Sequence, residues 1–164
     1  MSPISIKIEP AKVKDVPLIL EFIKGLAEYE RLAHSVVATE TRVRKTLFGR
    51  RKYAEVLLAK VGKQAAGFAL FFHNYSTFLA QPGIYLEDLF VKPEFRGKGI
   101  GKALLVRLAQ IAVERDCGRL EWAVLDWNSS AIDFYRKLGA KRMNEWDVYR
   151  LSGTSLASLA RSRG

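Results

Sequence analysis

Apolar residues recur along this chain with two periods, and the switches between them divide it into elements. Ser5-Ile6-Lys7-Ile8-Glu9 alternates polar and apolar side chains, which predicts a half-buried strand. Asp15 then stands as an N-cap before Leu18, Ile19, Phe22, Ile23 and Leu26, an apolar stripe at helical spacing that runs to about Tyr29. A shorter helix is predicted from Thr39 to Phe48, closed by Gly49. Residues 55–61 and 66–73 read as strands joined through Gly62-Lys63, and 84–91 as a third after Pro82-Gly83. Beyond a glycine-rich stretch, Ile100, Leu104, Leu105, Leu108, Ile111 and Ala112 share one helical face, and Gly118 stops that helix. A strand at 120–125 follows, then a helix at 131–138 preceded by Asn128-Ser129-Ser130 and closed by Gly139. A strand pair at 140–143 and 147–151 and a short helical or frayed tail at 156–161 complete the reading. This order predicts a single domain over residues 1–164, a three-layer α/β/α plan around a mixed, mostly antiparallel sheet.

The chemistry is concentrated where the strand Tyr85-Leu86-Glu87-Asp88-Leu89-Phe90-Val91 meets Lys92-Pro93 and the run Arg96-Gly97-Lys98-Gly99-Ile100-Gly101-Lys102. Pro93 ends the ladder, and the glycines open a helix whose unpaired N–H groups and positive dipole end attract an anion. A Walker A loop needs glycine where Arg96 stands and Ser or Thr where Ala103 stands, and a dinucleotide fingerprint needs glycine in place of Lys102. What remains is Arg-x-x-Gly-x-Gly directly after a strand bearing two carboxylates.

Composition narrows the class. At 164 residues, 49% hydrophobic and 27% charged, the chain reads as a soluble globular protein near the usual domain size of about 100–150 residues. No apolar run approaches the roughly 20 residues of a membrane span, and no signal-peptide h-region opens the chain, so a cytoplasmic protein without a membrane partner is expected. One cysteine, Cys117, and two separated histidines, His34 and His73, predict neither an internal disulfide nor a metal site. Cys117 is read as a small packed residue, with a spatial partner left open.

The net charge of +10 is uneven: residues 41–60 carry +6 and 92–142 carry +5, whereas 1–40 carry −1. Arg96, Lys98 and Lys102 fall in the second basic segment, suited to phosphates. The Arg42–Lys52 cluster has only Phe48 interleaved and lacks a nucleic-acid-binding signature, so it reads as a solvated basic face and no nucleic-acid partner is expected.

The strand, the Arg96–Lys102 loop and the helix after it resemble the pyrophosphate loop of the GCN5-related N-acetyltransferases. Three further stretches are similar to the diamine acetyltransferase branch: Leu26-Ala27-Glu28-Tyr29-Glu30, Tyr85-Leu86-Glu87-Asp88, and Ala123-Val124-Leu125-Asp126-Trp127-Asn128 with Asp133-Phe134-Tyr135-Arg136-Lys137-Leu138-Gly139-Ala140. The resemblance implies acetyl-coenzyme A as cosubstrate without a metal, and a homodimer. It gives Glu87 the general-base position and Tyr135 the general-acid position. Leu89, Phe90, Val91, Arg96, Gly97, Lys98, Gly99, Ile100, Gly101, Lys102, Asn128 and Tyr135 take coenzyme positions, and Glu28, Tyr29, Glu30 and Glu87 the acceptor positions. Polyamine-preferring relatives carry an Asp where this chain reads Tyr75-Ser76-Thr77-Phe78, a version similar to a sister branch associated with thialysine.

The residues support these roles on chemical grounds. An ammonium of pKa near 10 must lose a proton before it attacks a thioester, which suits Glu87, and the phenol of Tyr135 can return a proton to the departing thiolate. Taken by themselves, Glu87 and Asp88 alternate on a strand, so either can merely face solvent, and a tyrosine on an amphipathic helix is commonly a core edge. An acetyltransferase for protein N-termini or lysine side chains, or a non-catalytic binding module, stays open.

Overall fold

Period-two alternation becomes a five-stranded sheet in the computed structural model, which describes residues 4–162. The strands are β1 (Ile6–Pro10), β2 (Glu55–Val61), β3 (Gln64–Ser76), β4 (Gln81–Val91) and β5 (Leu120–Trp122), in sheet order β1-β2-β3-β4-β5. The first three pairings are antiparallel and β4–β5 is parallel. The sheet is therefore mixed and mostly antiparallel, as the element order predicts. Gly62, at φ 59°, makes the tight β2–β3 turn possible.

Helices α1 (Val16–Tyr29) and α2 (Glu40–Phe48) cover one face. Phe22 of α1 stacks on Phe68 of β3 with ring centroids 5.2 Å apart, amid Val16, Ile19, Val43, Leu47, Val56 and Leu58. Each such buried aromatic or aliphatic side chain stabilises by about 1.5–3 kcal/mol. The opposite face receives α3 (Ile100–Glu114), whose residues Ile100, Leu104, Leu105, Leu108, Ile111 and Ala112 are all buried. Thr39 caps α2 by accepting from the Arg42 N–H at 3.3 Å. Asp15 precedes α1 but does not cap it: its carboxylate accepts from the Lys12 N–H at 2.7 Å and closes the short turn at Val13–Asp15.

The described residues fall into two compact units divided after Leu125. The second contains α4 (Ser129–Lys137), capped by Asn128 through its side-chain oxygen and the Ala131 N–H, and α5 (Gly153–Arg161). The stretches 140–143 and 147–151 do not form the strand pair that their alternation predicts. Such a segment becomes a strand only where an edge supplies a ladder, and none does so here among the described residues. Val148 and Tyr149 are accordingly 86% and 93% exposed. The strand expected at 120–125 likewise stops at Trp122, and this early stop shapes the site.

Candidate active site

Two irregularities in β4 build the site. Leu70 of β3 pairs with Asp88 and Phe71 with Leu86, so Glu87 stands between them without a ladder partner, as an extra residue in the strand. On the other edge, β5 pairs only with Ile84, Tyr85 and Leu86. From Glu87 onward that edge of β4 has no strand beside it among the described residues, and its backbone groups are left for a ligand. Glu87 is exposed, Asp88 and Leu89 are half-buried, and Phe90 anchors the strand in the core.

A glycine brings α1 to this opening. A Cβ at Gly25 would lie 2.9 Å from Cζ of Phe90, so a side chain there would have to displace that ring from the helix. The last turn of α1 then carries Glu28, Tyr29 and, at the C-cap, Glu30. Acidic residues at the negative end of a helix dipole, with no basic residue in the last turn, oppose the usual preference. Burial, and then the nearby charge of Glu87, push the Glu30 carboxyl up. Asp88 is pushed up to about 6, first by burial and then by Glu87 and Glu30. Three carboxylates sit within electrostatic reach of one another, an arrangement a cation relieves.

The strain is measurable. Asp88 ionises normally at 3.8 and at about 6 in the fold, so its ionised form disfavours folding above pH 6, partly between pH 4 and 6, and not below pH 4. Asp88→Asn should stabilise the protein by about 3 kcal/mol at pH 8 and leave it nearly unchanged at pH 4, read from urea midpoints at each pH. Equal midpoints at pH 8 would remove Asp88 from the buried cluster.

The anion side follows β4 directly. Lys92 and the turn at Pro93–Phe95 lead to Arg96, whose Nε donates to the Val91 carbonyl at 3.0 Å. Its guanidinium lies over Tyr29, 4.7 Å from the ring centroid, and over Phe90 at 5.6 Å. Arg96 thus ties the loop to both α1 and β4, a positioning contact its place in the motif does not disclose. Gly97 and Gly99 are left-handed, at φ 73° and 80°, and Gly99 is the N-cap of α3 without a side-chain cap bond. No heavy atom lies within 4 Å of a Cβ built on either. The result is an open cradle floored by backbone N–H groups at a helix start, which fits the diphosphate of a coenzyme. Ile100 is buried as an anchor, Gly101 packs close to Val91, and Lys102 is exposed. Lys98 donates to the Glu94 carbonyl at 3.0 Å.

Asn128 and Tyr135 belong to the second unit. Asn128 caps α4, and Tyr135 lies half-buried on that helix with its ring 5.5 Å from Phe134. Cys117 does acquire a spatial neighbour, His73 Nδ1 at 3.8 Å, but that nitrogen is 3.0 Å from the Gly83 carbonyl and Arg115 reaches Nε2 at 2.9 Å. The histidine therefore donates to Gly83 and accepts from Arg115, leaving no base for the thiol. Gly25, Asp88 and the packing role of Arg96 escape a reading by motif. Gly25 had one signal, an isolated glycine within an apolar helical stripe.

A family described as Acetyltransferase (GNAT) family matches residues 23–140, a span that runs from α1 through α4. The chain belongs to the GNAT acetyltransferase family. It is 37% identical over 94% of its length to the thialysine N-epsilon-acetyltransferase of Bos taurus, covering 97% of that protein. It is also 34% identical over 93% of its length to the L-ornithine N5-acetyltransferase of Arabidopsis thaliana, covering 87% of it. Among solved structures, an integron cassette protein from the mobile metagenome of V. cholerae superposes with a TM-score of 0.81 at 29% identity, covering 96% of this chain and 99% of that one. These matches make the GNAT protein an N-acetyltransferase with the α/β fold of its family.

Proposed function

We propose that this N-acetyltransferase moves an acetyl group from acetyl-coenzyme A to the primary amine of a small cationic acceptor of lysine-analogue type, by direct attack within a ternary complex. The observation that carries this reading is the group of carboxylates, Glu30, Glu87 and Asp88, gathered where the β4–β5 ladder ends. The relatives named for thialysine and L-ornithine support the acceptor class. The match across residues 23–140 supports an acetyltransferase domain that runs from the first unit into the second.

Bound acetyl-coenzyme A supplies a thioester carbonyl as the electrophile. The N–H groups of Gly97, Gly99, Ile100, Gly101 and Lys102 hold the diphosphate, and Arg96 keeps the loop seated on Val91. The open edge at Leu89 and Val91 offers backbone donors toward the pantetheine and the carbonyl oxygen, and Phe90 between them anchors the strand. Glu28, Glu30 and Asp88 hold the ammonium with the face of Tyr29, and Glu87 takes its proton, directly or through water. Asn128 supports the coenzyme side, and the Tyr135 hydroxyl donates a proton to the leaving sulfur.

Gly99→Val tests the cradle. Its cost is conformational, because the site is open but φ 80° suits no β-branched residue, and the new side chain would occupy the anion's approach. Acetyl-coenzyme A affinity by calorimetry should fall at least tenfold in a folded protein, and unchanged affinity would remove the loop from the coenzyme site.

The acceptor class is tested by a turnover screen over thialysine, ornithine, lysine, spermidine, spermine and a lysine peptide. Short amino acids should lead. Ser76 is buried, and its hydroxyl accepts from the Leu79 N–H at 3.3 Å to close the hairpin, so no carboxylate is available there for a second ammonium. Thr77 is the exposed neighbour. Thr77→Asp should raise the spermidine kcat/KM relative to thialysine by roughly tenfold or more, since a charge-assisted contact contributes about 1.5–3 kcal/mol. A wild type that prefers spermine to every short amine would overturn the acceptor reading and leave the acetyltransferase intact.

The exposure of Trp146, Val148 and Tyr149, at 73%, 86% and 93%, supports a homodimer that covers them. Light scattering should then report twice the 18.5-kDa chain mass.

A further inference from the structure

The acidic opening leaves unused the most basic surface of the molecule. Arg42, Arg44, Lys45, Arg50, Arg51 and Lys52 are all exposed, with no acidic residue between positions 42 and 52. The buried side of α2 explains their direction: Val43 and Leu47 turn into the core beside Val16, Ile19 and Phe22, and the cations take the other face. Thr46 folds the following loop back, its hydroxyl donating to the Arg42 carbonyl at 2.8 Å and its own carbonyl accepting from the Tyr53 N–H at 2.9 Å. The six cations therefore stand on one fixed helix and turn.

Their density, six cations within eleven positions, sets them apart. Elsewhere in the first unit Lys60, Lys92, Arg107, Arg115 and Arg119 each hold a carboxylate. Among the described residues none of the six forms an ion pair, and the charge of Lys52 reaches only as far as helping to lower Glu55.

We propose that the α2 face binds single-stranded nucleic acid through its phosphates, without sequence preference. Four of the six cations are arginines, whose forked donors match phosphate oxygens. An aromatic platform is present as well: Tyr53 is 60% exposed with Arg51 at 5.0 Å from its ring centroid, the stacked pair on which a base can lie. The sequence alone interleaves only Phe48 within the cluster, and the fold adds Tyr53. A lipid surface fits less well, because Val43 and Leu47 of α2 are buried and Phe48 packs against the same core, so the helix offers no apolar stripe to a bilayer.

The test uses the full chain and a fluorescein-labelled 20-nucleotide oligo(U), read by anisotropy between 50 and 200 mM salt. Six phosphate contacts at a slope of about −0.7 each weaken binding by a few hundredfold over that range. The quadruple variant R42Q/R44Q/R50Q/R51Q should lower affinity at 50 mM salt by at least tenfold and flatten the slope by about 2 to 3, with acetyltransferase kcat/KM unchanged. Tyr53→Ala should weaken binding several-fold while keeping the slope. Oligo(U) binding that is equal in wild type and quadruple variant, or indifferent to salt, would overturn the proposal. So would co-sedimentation with phosphatidylserine vesicles in the absence of oligonucleotide binding.

Discussion

Glu87→Gln should lower turnover with a lysine-type amine by roughly 10²–10⁴-fold at pH 7, the range general-base catalysis contributes. Its place in the strand makes the experiment clean. Glu87 has no ladder partner and is exposed, so exchanging its carboxylate for an amide of the same shape should change stability by no more than about 0.5 kcal/mol. The diagnostic result is the pH profile. Below a pKa near 10 the free-amine fraction of the acceptor rises about tenfold with each unit of increasing pH, so the deficit of the variant should shrink steadily between pH 7 and 9.5. A deficit confined to KM and constant with pH would mean that Glu87 only attracts the cation.

Tyr135→Phe is expected to reduce turnover by about 100-fold or more with coenzyme affinity kept within about twofold. The ring packs 5.5 Å from Phe134, and the Tyr135 carbonyl accepts from Leu138 and Ala140 at 3.1 Å. Phenylalanine preserves those features and removes only the hydroxyl. Wild-type turnover in the variant would make Tyr135 a packing residue of α4.

Periodicity disclosed the elements well wherever one face is buried by the chain itself. Residues 55–61 form a strand over the full predicted span, and α3 buries the stripe that its spacing defines. It failed at 140–143 and 147–151, because alternation describes a strand's faces and says nothing about whether an edge is available to pair with. Turn chemistry was legible at Gly62 and at Gly97 and Gly99, where positive φ requires glycine, and misleading at Asp15, whose carboxylate serves the turn before the helix.

Within the site, the glycine loop and Glu87 stand out in the sequence because they are a local motif. Asp88 does not, since its shifted ionisation arises first from burial, then from Glu87 beside it and from Glu30, nearly sixty residues earlier in the chain. Arg96 shows the same limit. Its spacing before the glycines suggests phosphate, but its stacking on Tyr29 and Phe90 exists only once α1 and β4 are brought together.

Gly25 makes the spacing within the proposed acceptor site adjustable from a distance. The helix end that bears Glu28 and Glu30 rests on the Phe90 ring at a position where a methyl group would push against it, so the separation between those carboxylates and Glu87 is a packing variable. Substitution by alanine, or a smaller ring at 90 paired with a larger residue at 25, would tilt one charged wall against the other while every polar side chain stayed in place. The proposed acceptor site of this chain therefore has a route to a different acceptor length through its hydrophobic layer, with no change in the polar side chains assigned to it.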